Sequence, residues 1–235
     1  MKGNFGISKV MSSALIGALA VLVLAFTAGP ARAEDSARGQ GLVDRARVTF
    51  DAFVSDKEMT WLNDHLKDAR GILIVPQLLK GAFIVGASGG SGVLLVRDEK
   101  TGEWSEPAFY NMGSVSFGLQ IGASAAEVVT LVMSQKGVDA LLTTSVKLGG
   151  DVSAAIGPIG AGAAAKGIRA DLISFARAKG IFLGVSLEGA VVDTADTLNR
   201  EYYDKSVSPA DILIRNEVKN PGAEDLRASL TKSAK

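Results

Sequence analysis

The chain contains no cysteine and a single histidine, His65, among 235 residues. The first absence excludes disulfides, thiolate catalysis and thiolate metal sites. The second excludes a histidine-rich metal centre and leaves a Ser-His hydrolase with one possible base. Charge is also scarce where the chain is most apolar. Gly71 to Gly189 spans 119 residues, holds 20 of the 27 glycines and carries only 18 charged side chains. Such a stretch, poor in nucleophiles, ligands and proton carriers, is suited to burying or binding apolar material. No catalytic residue, metal ligand or cofactor is expected.

The N-terminus reads as an address. Lys2 and Lys9 precede Val10 to Ala28, 19 residues without charge, and Ala31-Arg32-Ala33 supplies a small-x-small site. That pattern predicts a cleavable signal peptide over 1–33, cut after Ala33. An uncleaved anchor is the alternative, since 19 uncharged residues can just span a bilayer; Gly29-Pro30 favours cleavage. The remaining 202 residues hold 22 basic against 25 acidic groups, a net charge of −3. This argues against nucleic acid as a partner, which needs a basic surplus. The expected location is periplasmic or secreted.

Periodicity divides the rest. Residues 34–70 predict two helices. In the first, Leu42, Val43, Ala46, Phe50, Phe53 and Val54 share a face. Ser55-Asp56-Lys57-Glu58 has the pattern of a capping box opening the second, with Ser55 as cap. Residues 71–192 predict a run of short strands: 71–75, 82–87, 93–97, one entered through Trp104, 108–112, 114–121, 128–134, 146–156, 161–166, 172–177 and 181–187. A short helix over 135–144 interrupts them. Residues 193–235 return to helix, at 194–203, from the Ser208-Pro209-Ala210-Asp211 start, and after Asn220-Pro221, where a polar, fraying end is expected. The fold class is therefore α+β: a glycine-rich, mainly antiparallel barrel or sandwich flanked by N- and C-terminal helices. Alternating polar and apolar residues, as in Val115 to Ile121, suit antiparallel strands with unlike faces.

Two glycine-rich stretches imitate phosphate loops. Gly86 to Gly92 lacks the Gly-Lys-Ser/Thr ending and precedes a strand, so a hairpin or bulge is expected. Gly157 to Lys166 has the wrong spacing and reads as a turn. Ser88 misses the spacing of a nucleophile elbow, and His65 reads as a surface residue. The first helix is expected to pack on the sheet. It could instead lie in a membrane interface, with Phe50 and Phe53 inserted and Arg45 and Arg47 near lipid phosphates.

The ordered motifs resemble the SYLF, or Ysc84, domain. They are Gly71-Ile72-Leu73-Ile74-Val75-Pro76, Lys80 to Gly86, Gly90 to Leu94, Trp104-Ser105-Glu106-Pro107, Gly118-Leu119-Gln120-Ile121-Gly122, Leu148-Gly149-Gly150-Asp151, Gly157-Pro158-Ile159-Gly160, Ala178 to Gly189 and Tyr202-Tyr203. The similarity runs from about Val43 to Tyr203. Phe175-Ala176 stands where the family more usually has Tyr-Ser. The resemblance implies a non-enzymatic, lipid-binding domain whose partner is a phospholipid or membrane surface. Eukaryotic members work with actin. The predicted signal peptide, and the lack of an SH3 or FYVE segment in this chain, argue against actin as a partner here. Candidate headgroup contacts, chosen as cations near the apolar glycine-rich segments, are Lys80, Lys147, Lys166, Arg169 and Lys179, with Arg45 and Arg47. The alternative is an envelope scaffold that binds protein and no lipid.

Overall fold

The computed structural model describes residues 31–82, 85–117, 122–160, 167–183 and 187–235. The predicted signal peptide up to Pro30 and the strand expected over 161–166 lie outside the described residues. Helix α1 runs from Ala31 to Val54, so the small-x-small site falls in its first turn. A 3₁₀ turn (Lys57–Met59), helix α2 (Thr60–His65) and a second 3₁₀ turn (Leu66–Asp68) follow. The cap is not Ser55. Its hydroxyl donates back to the Asp51 carbonyl at 2.6 Å, and Asp56 accepts the Glu58 N–H at 2.9 Å.

Among the described residues nine strands form one curled sheet, a half-barrel. They are β1 (Gly71–Ala82), β2 (Val85–Val96), β3 (Ala108–Phe117), β4 (Gly122–Val132), β5 (Ser145–Lys147), β6 (Ala154–Ile156), β7 (Leu172–Ala178), β8 (Ile181–Leu183) and β9 (Val191–Thr194). The order is β5-β9-β3-β2-β1-β4-β7-β6, with β8 also on β7. All neighbours are antiparallel except β6 and β7. Helix α3 (Gln135–Leu141) follows β4, and α4 (Asp196–Tyr203), α5 (Pro209–Leu213) and α6 (Glu224–Ser233) close the chain.

Long strands replace several expected short ones. The 82–87 run straddles the β1–β2 connection, and the runs at 108–112 and 114–117 form β3, while 118–121 of the expected strand lie outside the described residues. Gly86 to Gly92 is neither loop nor turn; it lies inside β2. The bulge expected there sits in the partner strand. Between Val75 and Leu78, β1 carries one residue more than β4, and between Ile74 and Leu79 one more than β2. The extra residue presses the β1 backbone against β2. A Cβ on Gly90 would collide with the Gln77 carbonyl, and one on Gly92 with the Ile74 carbonyl. Glycine is used here for close approach of two backbones.

The sheet is covered on both faces. On one, Ile72, Ile74, Val93, Leu95, Phe109, Val129, Leu131 and Phe175 pack with Phe50 and Phe53 of α1, Trp61 and Leu62 of α2, Tyr202 of α4 and Leu226 and Leu230 of α6. On the other, Leu73, Leu94, Tyr110, Val128 and Leu172 pack with Val138 and Leu141 of α3 and Ile212 and Leu213 of α5. The C-terminal segment is not a polar fraying tail, because Leu226, Leu230 and Ala234 fall on one helical face and are buried against α1.

Polar groups, buried and half-buried, tie elements together. Fully buried Asn199 accepts the Phe109 N–H at 2.8 Å and donates to its carbonyl, fixing α4 to β3. Asp171 accepts from Ser134 and from both the amide and hydroxyl of Ser153. These bonds hold its carboxyl well below the usual range, at about 2.

Replacing Gly92 with alanine is expected to cost about 1–3 kcal/mol, the usual penalty for overpacking. Urea unfolding of Gly92→Ala beside the parent protein checks this; an unchanged midpoint would remove the close-approach argument.

Candidate functional site

Side-chain parity is set by the bulge. Before it, Ile72 and Ile74 face α1; after it, Leu78 faces the opposite core and Leu79 the α1 side. Directly opposed residues on paired strands share a face. Leu79 opposes Gly89 and Ala125, Gly89 opposes Gly113, and Gly81 opposes Ala87, which opposes Val115. All therefore lie on the α1 side. Yet α1 does not cover them: Leu79 is 55% exposed and Val115 68%.

These residues belong to the end of the sheet that carries the β1–β2 and β3–β4 connections. There β1 to β4 run on past their flanking strands. The pairing of β9 with β3 stops at Gly113, and that of β7 with β4 stops at Glu127. Across residues 79–92 and 111–126 the only charged side chain is Lys80. The other face of this extension carries Lys80, Ser88, Ser114 and Ser124, opposed pairwise in register. Apart from the Ser91–Asn111 pair, one face is thus aliphatic and small, the other hydroxylic with one ammonium.

Helix α1 borders the aliphatic face. Thr49 donates to Glu127 at 3.3 Å, and Glu127 holds Arg177 through two contacts of 2.6 Å. Gln40 and Asp51 on another flank of the helix bind Gly222 and Ser229 of the C-terminal segment. Val48, 60% exposed, and Arg45 share the Thr49 flank at helical spacing. The β7–β8 hairpin adds Ile181, 66% exposed, and Lys179. Among the described residues, three of the six exposed large hydrophobics, Leu79, Val115 and Ile181, thus sit on strands at this end.

The candidate residues separate. Phe50 and Phe53 are fully buried; Phe53 packs edge-on against Phe182, and the Arg177 guanidinium lies over its ring at 5.3 Å. They are core residues and cannot insert into a bilayer. Arg47 faces Asp51 at 3.8 Å. Lys147 and Arg169 are exposed, on β5 and in the segment before β7. Lys179 has a left-handed backbone, φ 51°, followed by Gly180 at φ 76°, the two-residue turn that joins β7 to β8. Lys166 lies outside the described residues. Lys80 alone of the set stands on the extended end. Sequence reasoning missed Leu79 and Val115, because their exposure depends on where α1 and β9 stop.

A second recess, of about 430 Å³, opens at the opposite end of the sheet, between Arg70, Arg97, Glu99, Trp104, Glu106 and Arg227. Its arginines are engaged: Arg70 with Glu99, Arg97 with the Lys67 and Gly102 carbonyls, Arg227 with Glu106 and the Trp104 carbonyl. Desolvation raises the Glu106 carboxyl, against the pull of the Asn220 N–H and Arg227. Among the described residues no group of three or more His, Asp or Glu could hold a metal ion, and no helix is long and apolar enough to cross a membrane. His65 stacks on Trp61 at 3.9 Å and bonds its carbonyl through Nδ1.

This architecture defines a class: an α+β domain whose curled mixed sheet extends past its helices as an amphipathic end. Residues 113–233 match the Ysc84 family, described as "Las17-binding protein actin regulator". The chain belongs to that family. It is similar to an SH3 domain-containing protein of Schizosaccharomyces pombe, 34% identical over 166 residues, covering 68% of this chain and 38% of that protein. It is 31% identical to human SH3 domain-containing YSC84-like protein 1 over 162 residues, 67% of this chain and 47% of the relative. The LAS seventeen-binding protein 3 of Saccharomyces cerevisiae is 31% identical over 169 residues, 69% of this chain and 36% of the relative. The chain therefore spans less than half the length of these relatives.

Truncation of Phe53 separates core from surface. Phe53→Ala is expected to lower stability by about 3–5 kcal/mol, the cost of emptying a buried aromatic site. Denaturant unfolding measures it; a loss under 1 kcal/mol would return Phe53 to the surface.

Proposed function

We propose that this protein binds phospholipid surfaces through the amphipathic end of its sheet and performs no covalent chemistry. The observation that carries the reading is the exposed aliphatic face of Leu79 and Val115, in a stretch whose one charge, Lys80, lies on the other face. Water contact with such a face is unfavourable by about 25 cal/mol per Å² of apolar surface, and an interface relieves it. The links joining these strands are apolar by sequence as well, with Phe83 and Ile84 in one and Leu119 and Ile121 in the other. Arg45 and Lys179 border the same end and add attraction to an anionic leaflet.

The protein acts in the envelope after export, in the periplasm or outside the cell. The support is the charge-free run from Val10 to Ala28 and the Ala31-Arg32-Ala33 site. Intact mass of protein recovered from the envelope fraction should correspond to a chain beginning at Glu34. Full-length protein confined to the cytosol would refute export.

A second reading has support from the relatives. The expectation that actin is not a partner runs against the family's description, which speaks of Las17 binding and actin regulation. The yeast relative's name says the same of Las17. Under this reading the extended sheet end docks a protein of the actin machinery instead of a bilayer.

Vesicle flotation decides between them. Leu79→Asp combined with Val115→Asp should lower recovery with phosphatidylglycerol-containing vesicles about tenfold or more, since each residue contributes a large part of its 1.5–3 kcal/mol burial energy. Unaltered flotation of a folded double variant would sink membrane contact through the Leu79/Val115 face.

A further inference from the structure

The hydroxylic face of the extended sheet end holds one continuous row of donors. Lys80 on β1 opposes Ser88 on β2 and Ser124 on β4, and Ser88 opposes Ser114 on β3. In strand order the row reads Ser124, Lys80, Ser88, Ser114. Neighbouring strands lie about 4.8 Å apart, so the lysine has a hydroxyl on each side at that spacing. Ser88 and Ser114 are already joined, Oγ to Oγ, at 2.7 Å. That bond uses one of their two protons and leaves the other to be donated outward, while polarising the donor. Ser124 is exposed, and Lys80, Ser88 and Ser114 are half-buried.

No carboxylate shares the row. Glu127, the nearest acid along β4, points to the opposite face, where Thr49 and Arg177 hold it. An ammonium flanked by hydroxyls, with no acid in the row, recognises a guest that only accepts hydrogen bonds and bears negative charge on several oxygens. Phosphate fits this description, and its bonds to an ammonium are charge-assisted.

Position identifies the phosphate's source. Lys80 stands two residues from the end of β1 at Ala82, and Ser88 and Ser124 two residues from Gly86 and Gly122, which both pair with Ala82. At about 3.3 Å per residue the row lies roughly 7 Å behind the strand ends. Amphipathic helices at an interface settle about 5–10 Å into the boundary between headgroups and acyl chains. Strand ends seated at that depth bring the row to the level of the phosphates.

We infer that Lys80, Ser88 and Ser124 form a seat for the phosphodiester of a membrane phospholipid, with Ser114 orienting Ser88. The inference rests on the membrane reading above and adds the headgroup chemistry to it. It also gives the sheet end two roles: Val115, level with Gly81 and nearer the strand ends than the row, takes acyl contact, and the row takes the phosphate.

The test compares wild type, Lys80→Gln, Lys80→Arg and Ser124→Ala on vesicles of phosphatidylcholine alone and with phosphatidylglycerol. Matched urea midpoints establish that all are folded. Lys80→Gln should weaken binding to the anionic vesicles about fivefold, the effect of one cation at such a surface. Lys80→Arg should retain most of it. Ser124→Ala changes no charge, yet should weaken binding about two- to threefold through the lost hydrogen bond. A Lys80→Gln protein that binds like wild type overturns the seat. So does a Lys80→Gln loss with Ser124→Ala unaffected, which would leave only diffuse charge. Saturation of the Lys80 and Ser124 amide shifts by inorganic phosphate at micromolar concentration, without vesicles, overturns the lipid as its source. The Leu79→Asp/Val115→Asp protein separates the two levels. If it floats normally while Lys80→Gln fails, the seat stands and the mode of membrane contact does not. If it fails while Lys80→Gln is unaffected, the reverse holds.

Discussion

One additional residue in β1 governs how this molecule presents itself. Because side chains alternate along a strand, an inserted residue exchanges the two faces for everything that follows. Up to Val75, β1 distributes isoleucines to the helical side and Leu73 and Val75 to the other core. Past the bulge the pattern inverts, so Leu78 stays buried, Leu79 comes out beside α1, and Lys80 joins the serines. Gly90 and Gly92 make the insertion possible by letting the β1 carbonyls approach where any Cβ would obstruct them. Both the aliphatic face and the donor row depend on this local irregularity.

Helix α1 supplies the second constraint. Its buried stripe of Leu42, Val43, Ala46, Phe50 and Phe53 anchors it across the sheet. One flank is spent on the C-terminal segment through Gln40 and Asp51. The flank of Arg45, Val48 and Thr49 is left beside the uncovered strands. The aromatic residues that look most suited to membrane insertion are thereby used for cohesion, including the cation–π contact of Arg177 with Phe53. The exposed apolar surface comes instead from aliphatic residues on strands.

Membership of the Ysc84 family constrains the fold and most of the domain, but the relatives are more than twice as long as the matched segment. What their remaining length contributes belongs to them. In this chain the covered region of the sheet is stabilised by two apolar cores, and its uncovered end is amphipathic. Such an end suits a bilayer and also a protein groove, since both offer an apolar surface with a polar border.

Much of the architecture was legible in the order of residues. Period 3.6 over 42–54 and the Ser208-Pro209 start identified helices, because both signals are local; the latter is a complete capping box in the structure. Alternation over Val115 to Ile121 suited a strand with unlike faces, and its described part, 115–117, lies in β3. Composition alone restricted the chemistry, since residues that are absent cannot act. The site was less legible. Nothing local distinguishes Leu79 from Leu78, or Phe53 from a phenylalanine at an interface; burial is decided by which distant segment arrives. Strand pairing and the end points of α1, β7 and β9 decided that Leu78 and Phe53 are covered and Leu79 and Val115 are not, and placed Lys80 between Ser88 and Ser124, residues 8 and 44 positions away. Sequence determined the materials and their periods. Tertiary structure decided which surface is left facing outward, because exposure belongs to the packed assembly and not to any single residue.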